Sequence, residues 1–270
     1  MKITINKFPI VCGLCYKLHV YFLQELTKEE NTMHGKSAII TGASKGIGRE
    51  VAKHLARQGF NLLLVSRSKD LLAELQQELS KNNVNLIVKT AAIDVSHAEE
   101  INIAVQDFYK ITHSIDLLFN NAGYVKRGTS EIDATELSTM INSNLIGAVN
   151  MVRVVVPLMK IKNCGYIINV SSRSAETPRS FLGGYSATKA ALLAFNESLY
   201  KEMKDTNIKV TALCPGFVDT EMTSDVKEDR NKLIKTTDIC ITIDFLLSLS
   251  PAVALKKLSF ESIAQVGGYS

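Results

Sequence analysis

Two residues four positions apart, Tyr185 and Lys189, have the side chains and the spacing for acid–base chemistry. Residues at i and i+4 share one face of a helix, and the run of alanines and leucines at 187–193 favours helix. A phenol beside an ammonium group can then donate or accept a proton. The pair alone assigns no function, because tyrosines and lysines also share helix faces on ordinary protein surfaces. Its meaning depends on the elements that position it.

The composition fits one globular domain with a large core: 270 residues, 46% hydrophobic and 21% charged. The formal net charge is +4, and the sequence has no dense basic run or interleaving of basic and aromatic residues, so we predict no nucleic-acid partner. Five cysteines form an odd, scattered set, which favours a reducing compartment. We therefore predict a cytoplasmic protein.

The N-terminal residues differ in character from the rest. Cys12 and Cys15 are not followed by a second cysteine pair at zinc-site spacing, so we predict no metal site. Polar and charged residues interrupt the apolar stretch 8–26, which argues against a membrane span, and a clean signal-peptide cleavage site is lacking. Our working hypothesis is that residues 1–32 are an extension outside the native protein and that residues 33–270 form the domain.

A glycine-rich turn separates the first predicted strand of the domain from its first predicted helix. The apolar run 37–41 enters the sequence Thr41-Gly-Ala-Ser-Lys-Gly-Ile-Gly48, and a helical pattern follows at once. This order directs helix amides and the helix dipole toward an anion, and the glycines let a backbone approach closely. A dinucleotide pyrophosphate is the favoured ligand, and an ordinary glycine-rich turn is the alternative.

The glycines are spaced Gly-x-x-x-Gly-x-Gly, unlike the commoner Gly-x-Gly-x-x-Gly. Here the sequence resembles the short-chain dehydrogenase/reductase family, over about residues 35–263. The resemblance implies an α/β fold: a single-domain, Rossmann-like, doubly wound parallel sheet of about seven strands with helices on both faces. It also implies NAD or NADP bound where the strand order reverses, and a homodimer or homotetramer formed through the two long helices.

The cofactor preference is predicted from the residue after the second strand, 61–66. An acidic residue there would bind the adenosine ribose hydroxyls and repel a 2′-phosphate, whereas a basic residue does the reverse. Ser66, Arg67 and Lys45 offer a hydroxyl and two cations, so we predict NADP(H). The alternative is that both cations are solvated surface side chains.

The resemblance assigns the cofactor site motif by motif. Asn120-Asn-Ala-Gly123 ends a central strand and floors the site, Asp94-Val95 contacts adenine, and a Pro-Gly turn holds the nicotinamide carboxamide. A substrate lid occupies about residues 221–236. The implied cofactor-binding residues are Gly42, Ser44, Lys45, Gly46, Ile47, Gly48, Ser66, Arg67, Asp94, Val95, Asn121, Ala122, Gly123, Tyr185, Lys189, Pro215, Gly216, Val218 and Thr220.

The resemblance also implies four catalytic residues, Asn144, Ser172, Tyr185 and Lys189. The catalytic serine of the family stands thirteen positions before its tyrosine, which selects Ser172 over Ser171. Tyr185 is then the general acid or base, and we expect the Lys189 ammonium, with the nicotinamide charge, to lower the pKa of its phenol.

Asn144 lies in a stretch, about 135–160, whose apolar positions fall at helical spacing. Spacing alone would make this asparagine a structural side chain. The resemblance instead implies that it opens the helix locally and holds a water in a proton relay, with Asn142 as the less favoured candidate.

The implied function is hydride transfer between NADPH and a small carbonyl or hydroxyl substrate, as in a ketone or aldehyde reductase. One alternative is a non-catalytic NADP(H)-binding regulatory or scaffold protein of the same fold. Another is a nucleotide-sugar epimerase, although that class has a different glycine spacing and a larger substrate domain. The cations of the lid either attract an acidic substrate or form a solvated face; they are Lys227, Arg230, Lys232 and Lys235.

Overall fold

Seven strands form one parallel sheet within residues 35–82 and 85–266, the part of the chain that the computed structural model describes. The strands lie in the order β3-β2-β1-β4-β5-β6-β7, and every neighbouring pair is parallel. Their bounds are β1 Ser37–Thr41, β2 Asn61–Ser66, β3 Val88–Ala92, β4 Leu117–Asn120, β5 Gly165–Val170, β6 Ile208–Pro215 and β7 Lys257–Phe260.

Helices cover both faces of this sheet, as α1 packs against α7 and α3 packs against α5. Their bounds are α1 Gly46–Arg57, α2 Lys69–Asn82, α3 Ala98–Thr112, α4 Ala134–Ile141, α5 Gly147–Lys162, α6 Gly183–Glu202 and α7 Thr236–Ser248. The predicted doubly wound, Rossmann-like α/β fold is confirmed.

The strand order reverses between β1 and β4, the two central strands. β1, β4 and β5 are buried along their whole lengths, which explains their short, largely apolar sequences. In an open sheet of this kind a crevice forms at the carboxyl ends of the strands where the order reverses. The glycine turn follows β1, and the segment 120–123 ends β4 and follows it, so both predicted motifs meet at this crevice.

A row of three buried asparagine side chains crosses the fold beneath the crevice. Asn120 Nδ2 donates to Asn169 Oδ1 at 2.9 Å, and Asn169 Nδ2 donates to Asn196 Oδ1 at 2.9 Å. Asn196 Nδ2 then donates to the carbonyl oxygen of Lys256 at 3.2 Å. The row therefore joins β4, β5 and α6 to the chain that enters β7.

The single helix predicted over about 135–160 is observed as two α-helices, α4 and α5, joined by the π-helical turn Asn142–Ile146. A β-carbon at Gly147, just after this turn, would overlap the Val95 side chain, so the helix passes very close to the loop after β3. π-helical turns inside α-helices frequently mark functional sites. Asn144 lies within this one.

The helix that carries Tyr185 begins at Gly183, four residues before the predicted start at 187. Gly183 and Gly184 lie against Thr129 and Ile132, where β-carbons would clash with both side chains. The sequence pattern gives glycine no helical preference, but here the lack of a side chain lets the helix start against the neighbouring loop. Tyr185 consequently lies in the first turn of α6.

The helical stretch Ala134–Lys162 is long and apolar enough to cross a membrane by length and composition alone. More than half of its most apolar window is buried inside the fold, as in a core helix. Among the described residues, Cys164, Cys214 and Cys240 are free thiols. The predictions for residues 1–32, Cys12 and Cys15 included, lie outside the described residues.

Candidate active site

The glycine turn is built on backbone conformations and contacts that favour glycine. Gly42 and Gly46 have φ angles of +65° and +52°, in the left-handed region. A β-carbon on Gly42 would lie 2.8 Å from Asn121 Nδ2, and one on Gly48 would overlap the Gly42 carbonyl oxygen. The turn is thus a cradle that side chains would fill, at the N-terminus of α1, and it fits a dinucleotide pyrophosphate.

The segment 120–123 is fastened to this turn. Thr41 Oγ1 accepts hydrogen bonds from the amides of Asn121 and Ala122, both at 2.9 Å. Asn121 Nδ2 donates to the carbonyl oxygens of Thr41 and Gly42, at 3.1 and 3.3 Å. The Asn121 side chain therefore fixes the turn, a structural role that the sequence motif did not reveal.

Each of the two predicted 2′-phosphate cations faces a carboxylate. Lys45 Nζ lies 2.8 Å from Glu221 Oε2, and Arg67 NH1 lies 3.8 Å from Asp94 Oδ2. Although burial raises the pKa of Asp94, hydrogen bonds from Ser96 and the Arg67 charge hold it below the ordinary value. Asp94 is therefore ionised at neutral pH. Both cation side chains are exposed, so these ion pairs contribute little to stability and leave the cations accessible to a phosphate.

The Ser172 side chain follows the carboxyl end of β5 and acts on the Tyr185 phenol. Burial raises the pKa of Tyr185, and the Ser172 hydroxyl only partly offsets this. The lowering expected from Lys189 is not found in the protein alone, where burial and Ser172 are the two influences on the phenol. Ser171 Oγ donates to the Lys189 carbonyl oxygen at 2.9 Å, consistent with a packing role for the neighbouring serine.

Lys189 is almost completely buried, with 4% of its surface exposed. Its Nζ donates to the Val170 carbonyl oxygen at 2.8 Å and lies 5.9 Å from the centre of the Tyr185 ring. Desolvation lowers the pKa of Lys189 to about 8. The ammonium is therefore held close to the phenol, on the side where β5 ends.

Asn144 is fully buried, and both polar atoms of its side-chain amide form hydrogen bonds. Its Oδ1 accepts from the Tyr124 amide at 2.7 Å, and its Nδ2 donates to the Tyr124 carbonyl oxygen and to Thr188 Oγ1, each at 2.9 Å. Thr188 Oγ1 in turn donates to the Tyr185 carbonyl oxygen at 2.8 Å. Asn144 thus connects the π-helical turn to the loop after β4 and to α6.

Polar atoms of three other residues lie around Gly123. A methyl group on Gly123 would lie 3.2 Å from Asn144 Oδ1, 3.4 Å from Lys189 Nζ and 3.8 Å from the Asn121 carbonyl oxygen. The lack of a side chain at this glycine therefore leaves Asn144 Oδ1 and Lys189 Nζ uncrowded on this side.

The lid cations are largely structural. Asp219 forms ion pairs with Arg230 and with Lys235, the latter at 2.8 Å. Arg230 also donates to the Thr223 carbonyl oxygen at 2.9 Å. Arg230 and Lys235 therefore join the lid to Asp219, which precedes it in the chain. Lys227 and Lys232 are exposed. The solvated or structural interpretation is therefore favoured over an acidic-substrate surface.

One cleft of about 970 Å³ unites the predicted residues. All of the predicted cofactor-binding and catalytic residues line it except Gly48 and Asn144, which lie behind its wall. The lining also includes residues that the sequence did not single out, among them two arginines that stack on phenylalanines. Arg127 lies 5.2 Å from the Phe181 ring and Arg179 lies 4.4 Å from the Phe217 ring.

Arg127 also pairs with Asp225 of the lid, at 2.7 Å. Two ion pairs therefore join the lid to other residues of the cleft lining, Arg127 with Asp225 and Lys45 with Glu221. Nothing local in the sequence predicts these contacts or the presence of Gln265 in the lining, since each joins distant parts of the chain.

Comparison with known sequences finds relatives over most of the domain. A family model for short chain dehydrogenases matches residues 36–231. An uncharacterized oxidoreductase of Staphylococcus saprophyticus is 35% identical over 210 residues, which cover 77% of this chain and 88% of that protein.

Solved structures of reductases are also similar to this chain. The L-sorbose reductase of Gluconobacter frateurii, in complex with NADPH and L-sorbose, has 27% identity and a TM-score of 0.76 over 86% of this chain and 96% of that one. A 3-ketoacyl-(acyl-carrier-protein) reductase of Brucella melitensis, in complex with NADH, has 27% identity and a TM-score of 0.78 over 86% and 99% of the two chains.

Proposed function

This chain belongs to the short-chain dehydrogenase family and is an oxidoreductase that transfers a hydride, and we propose that it uses NADPH to reduce a small ketone or aldehyde. The main support is that Ser172, Tyr185 and Lys189 stand together in the cleft that also contains the glycine turn. The test is oxidation of NADPH by the purified protein with a panel of ketones and aldehydes, run in parallel with NADH. Failure of every carbonyl compound to oxidise either cofactor would contradict the proposal.

The cofactor would be held along the carboxyl ends of the strands. The glycine turn would bind the pyrophosphate, Lys45 and Arg67 the 2′-phosphate, Asp94 and Val95 the adenine, and the loop 215–220 the nicotinamide carboxamide. The remaining residues of the predicted site would line the space between these points. When bound, NADPH supplies the hydride that reduces the carbonyl carbon.

The residues of this chain would supply the proton and stabilise the charge on the substrate oxygen. The Ser172 hydroxyl would donate a hydrogen bond to that oxygen, and the Tyr185 phenol would transfer its proton to it. Because burial raises the pKa of Tyr185, the phenol is protonated at neutral pH, which suits an acid in the reductive direction. Lys189 would bind the nicotinamide ribose and favour the phenolate that remains after the transfer.

A water bound between Asn144 and Lys189 would complete a proton relay that reprotonates this site. Asn144 Oδ1 would accept a hydrogen bond from it and Lys189 Nζ would donate one, and both atoms lie near Gly123. In this proposal Asn144 acts through its Oδ1 and through the π-helical turn that it stabilises.

We expect Gly123→Ala to lower kcat by about 10-fold or more, because its methyl group would crowd Asn144 Oδ1 and Lys189 Nζ, the two groups of the proposed relay. Steady-state turnover and its solvent deuterium isotope effect are the measurements, with the NADPH dissociation constant determined in parallel. Unchanged kcat would contradict a relay through these two groups.

We expect Arg67→Asp to weaken NADPH binding by about 10- to 100-fold and to leave NADH binding unchanged or tighter, since a charge-assisted hydrogen bond to the 2′-phosphate is replaced by repulsion. Fluorescence titration with each cofactor measures this. Arg57→Asp is the control, because Arg57 pairs with Glu50 on the surface of α1 outside the cleft. Equal effects on both cofactors would contradict the role of Arg67.

We further propose a cytoplasmic homodimer or homotetramer with a small-molecule carbonyl or alcohol substrate. Ile141, Ile146 and Ile161 expose apolar surface along the long helical stretch 134–162, which supports contact with a second copy. Light scattering of the purified protein tests the assembly.

A further inference from the structure

Residues 261–266, which we call the post-β7 segment, contact three parts of the candidate site. Glu261 Oε1 accepts a hydrogen bond from Arg173 Nε at 2.8 Å, in the turn directly after Ser172. Gln265 Oε1 accepts from the amide of Phe217 at 2.7 Å, in the loop 215–220. The Ala264 amide donates to the Lys232 carbonyl oxygen of the lid at 3.5 Å. The segment thus connects the turn after β5, the loop 215–220 and the lid.

Gln265 is the most strongly held residue of this segment, and only 5% of its surface is exposed. Besides the Phe217 amide, its Oε1 accepts from Ser262 Oγ at 3.0 Å and from the Ser262 amide at 3.4 Å. Three donors therefore converge on one oxygen, which fixes its position. A β-carbon on Gly216 would overlap that oxygen, so the loop rests directly against the Gln265 amide.

We propose that Gln265 is a positioning residue that sets the backbone of residues 216–218 for the nicotinamide end of the cofactor. This inference rests on the proposed function, which assigns the loop to the carboxamide. Without an acceptor at this point the Phe217 amide loses its hydrogen bond in a partly buried place, and the backbone of residues 216–218 is no longer held in its position. The adenine end, bound by the glycine turn and β2, has no contact with Gln265.

The test separates the two ends of the cofactor. In Gln265→Met, a variant of similar volume without the acceptor, the dissociation constant of NADPH should rise by about 5- to 30-fold. The constant for 2′,5′-ADP, which lacks nicotinamide, should stay within about twofold, because its contacts are untouched. In Gln265→Glu the carboxylate keeps an acceptor for the same donors, so NADPH affinity should stay within about threefold of wild type.

Ser114→Ala is the control, because it removes a buried hydroxyl that donates to Asp116 outside the cleft. Equal weakening of NADPH and 2′,5′-ADP in Gln265→Met, no weakening of either, or equal loss of NADPH affinity in Ser114→Ala would each overturn the inference. Wild-type protein that binds neither NADPH nor NADH would instead contradict the proposed function. If wild type prefers NADH, NADH and 5′-ADP replace the two probes.

Discussion

Tyr185→Phe is expected to lower kcat by about 10³-fold or more, within the range contributed by a general acid, while the dissociation constant of NADPH changes by less than about threefold. The variant loses only the phenol hydroxyl, on which Ser172 acts. The ring that Lys189 approaches at 5.9 Å remains, so the shape of the cleft is kept. Single-turnover reduction and cofactor titration measure the two quantities separately.

Tyr124→Phe is the matched control for this prediction. Tyr124 also lines the cleft, but its hydroxyl donates to Glu136 Oε2 at 2.7 Å and does not contact Ser172 in the structure. We expect this variant to keep most of the wild-type turnover. If Tyr185→Phe also kept it, another group would have to supply the proton.

Lys189→Met is expected to lower kcat/KM by about 10²- to 10³-fold, because it removes the ammonium beside the phenol and a ligand of the cofactor ribose. Lys209→Met is the control. Lys209 also donates to backbone carbonyl oxygens, but it lies at the amino end of β6 and outside the cleft. Retention of activity in Lys189→Met would contradict its role.

The same variant tests the burial of Lys189 through the pH dependence of stability. The folded pKa of about 8 lies below the ordinary 10.5, so between these values the unfolded chain binds more protons than the folded one. This group therefore makes the free energy of unfolding rise with pH across that interval, by up to about 3 kcal/mol.

Urea unfolding of wild type and Lys189→Met at pH 7.5 and pH 10, without cofactor, measures this effect. Since Lys189→Met removes the group, its unfolding free energy should rise less between the two pH values than that of wild type. Other groups also titrate in this range, and they cancel in the difference between the two proteins. Parallel pH profiles would show that the lysine is not desolvated as the structure indicates.

The strands were predictable from the sequence because each strand inside the sheet is a short apolar run next to a turn signal. The glycine turn, the segment 120–123 and the spacing from Ser172 to Tyr185 were also readable, since each is local in sequence. The predicted start of α6, at residue 187, was four residues too late. Gly183 and Gly184 are helical because they pack closely against another loop. Propensity carries no information about such a neighbour.

The contacts that join the site to residues distant in sequence were not predictable. Gln265 lies 48 residues after Phe217 in the sequence, and neither residue type signals the other. In the sequence the four lid cations form one charge run. In the structure Arg230 and Lys235 bind Asp219, whereas Lys227 and Lys232 are exposed. Composition gives the number of charges and leaves their partners undetermined.

The row of asparagines beneath the crevice has a consequence for how the molecule folds. Each amide donates to the next in one direction, and Asn120 and Asn169 are also register partners in β4 and β5. A shift of one residue between these strands would turn an amide to the other face and leave buried donors without acceptors, at a cost of several kcal/mol in total. The helix that carries Tyr185 and Lys189 joins the row through Asn196. The position of the helix that carries the candidate catalytic pair is therefore tied to the pairing of β4 with β5, because a shifted register would remove the amide that holds Asn196.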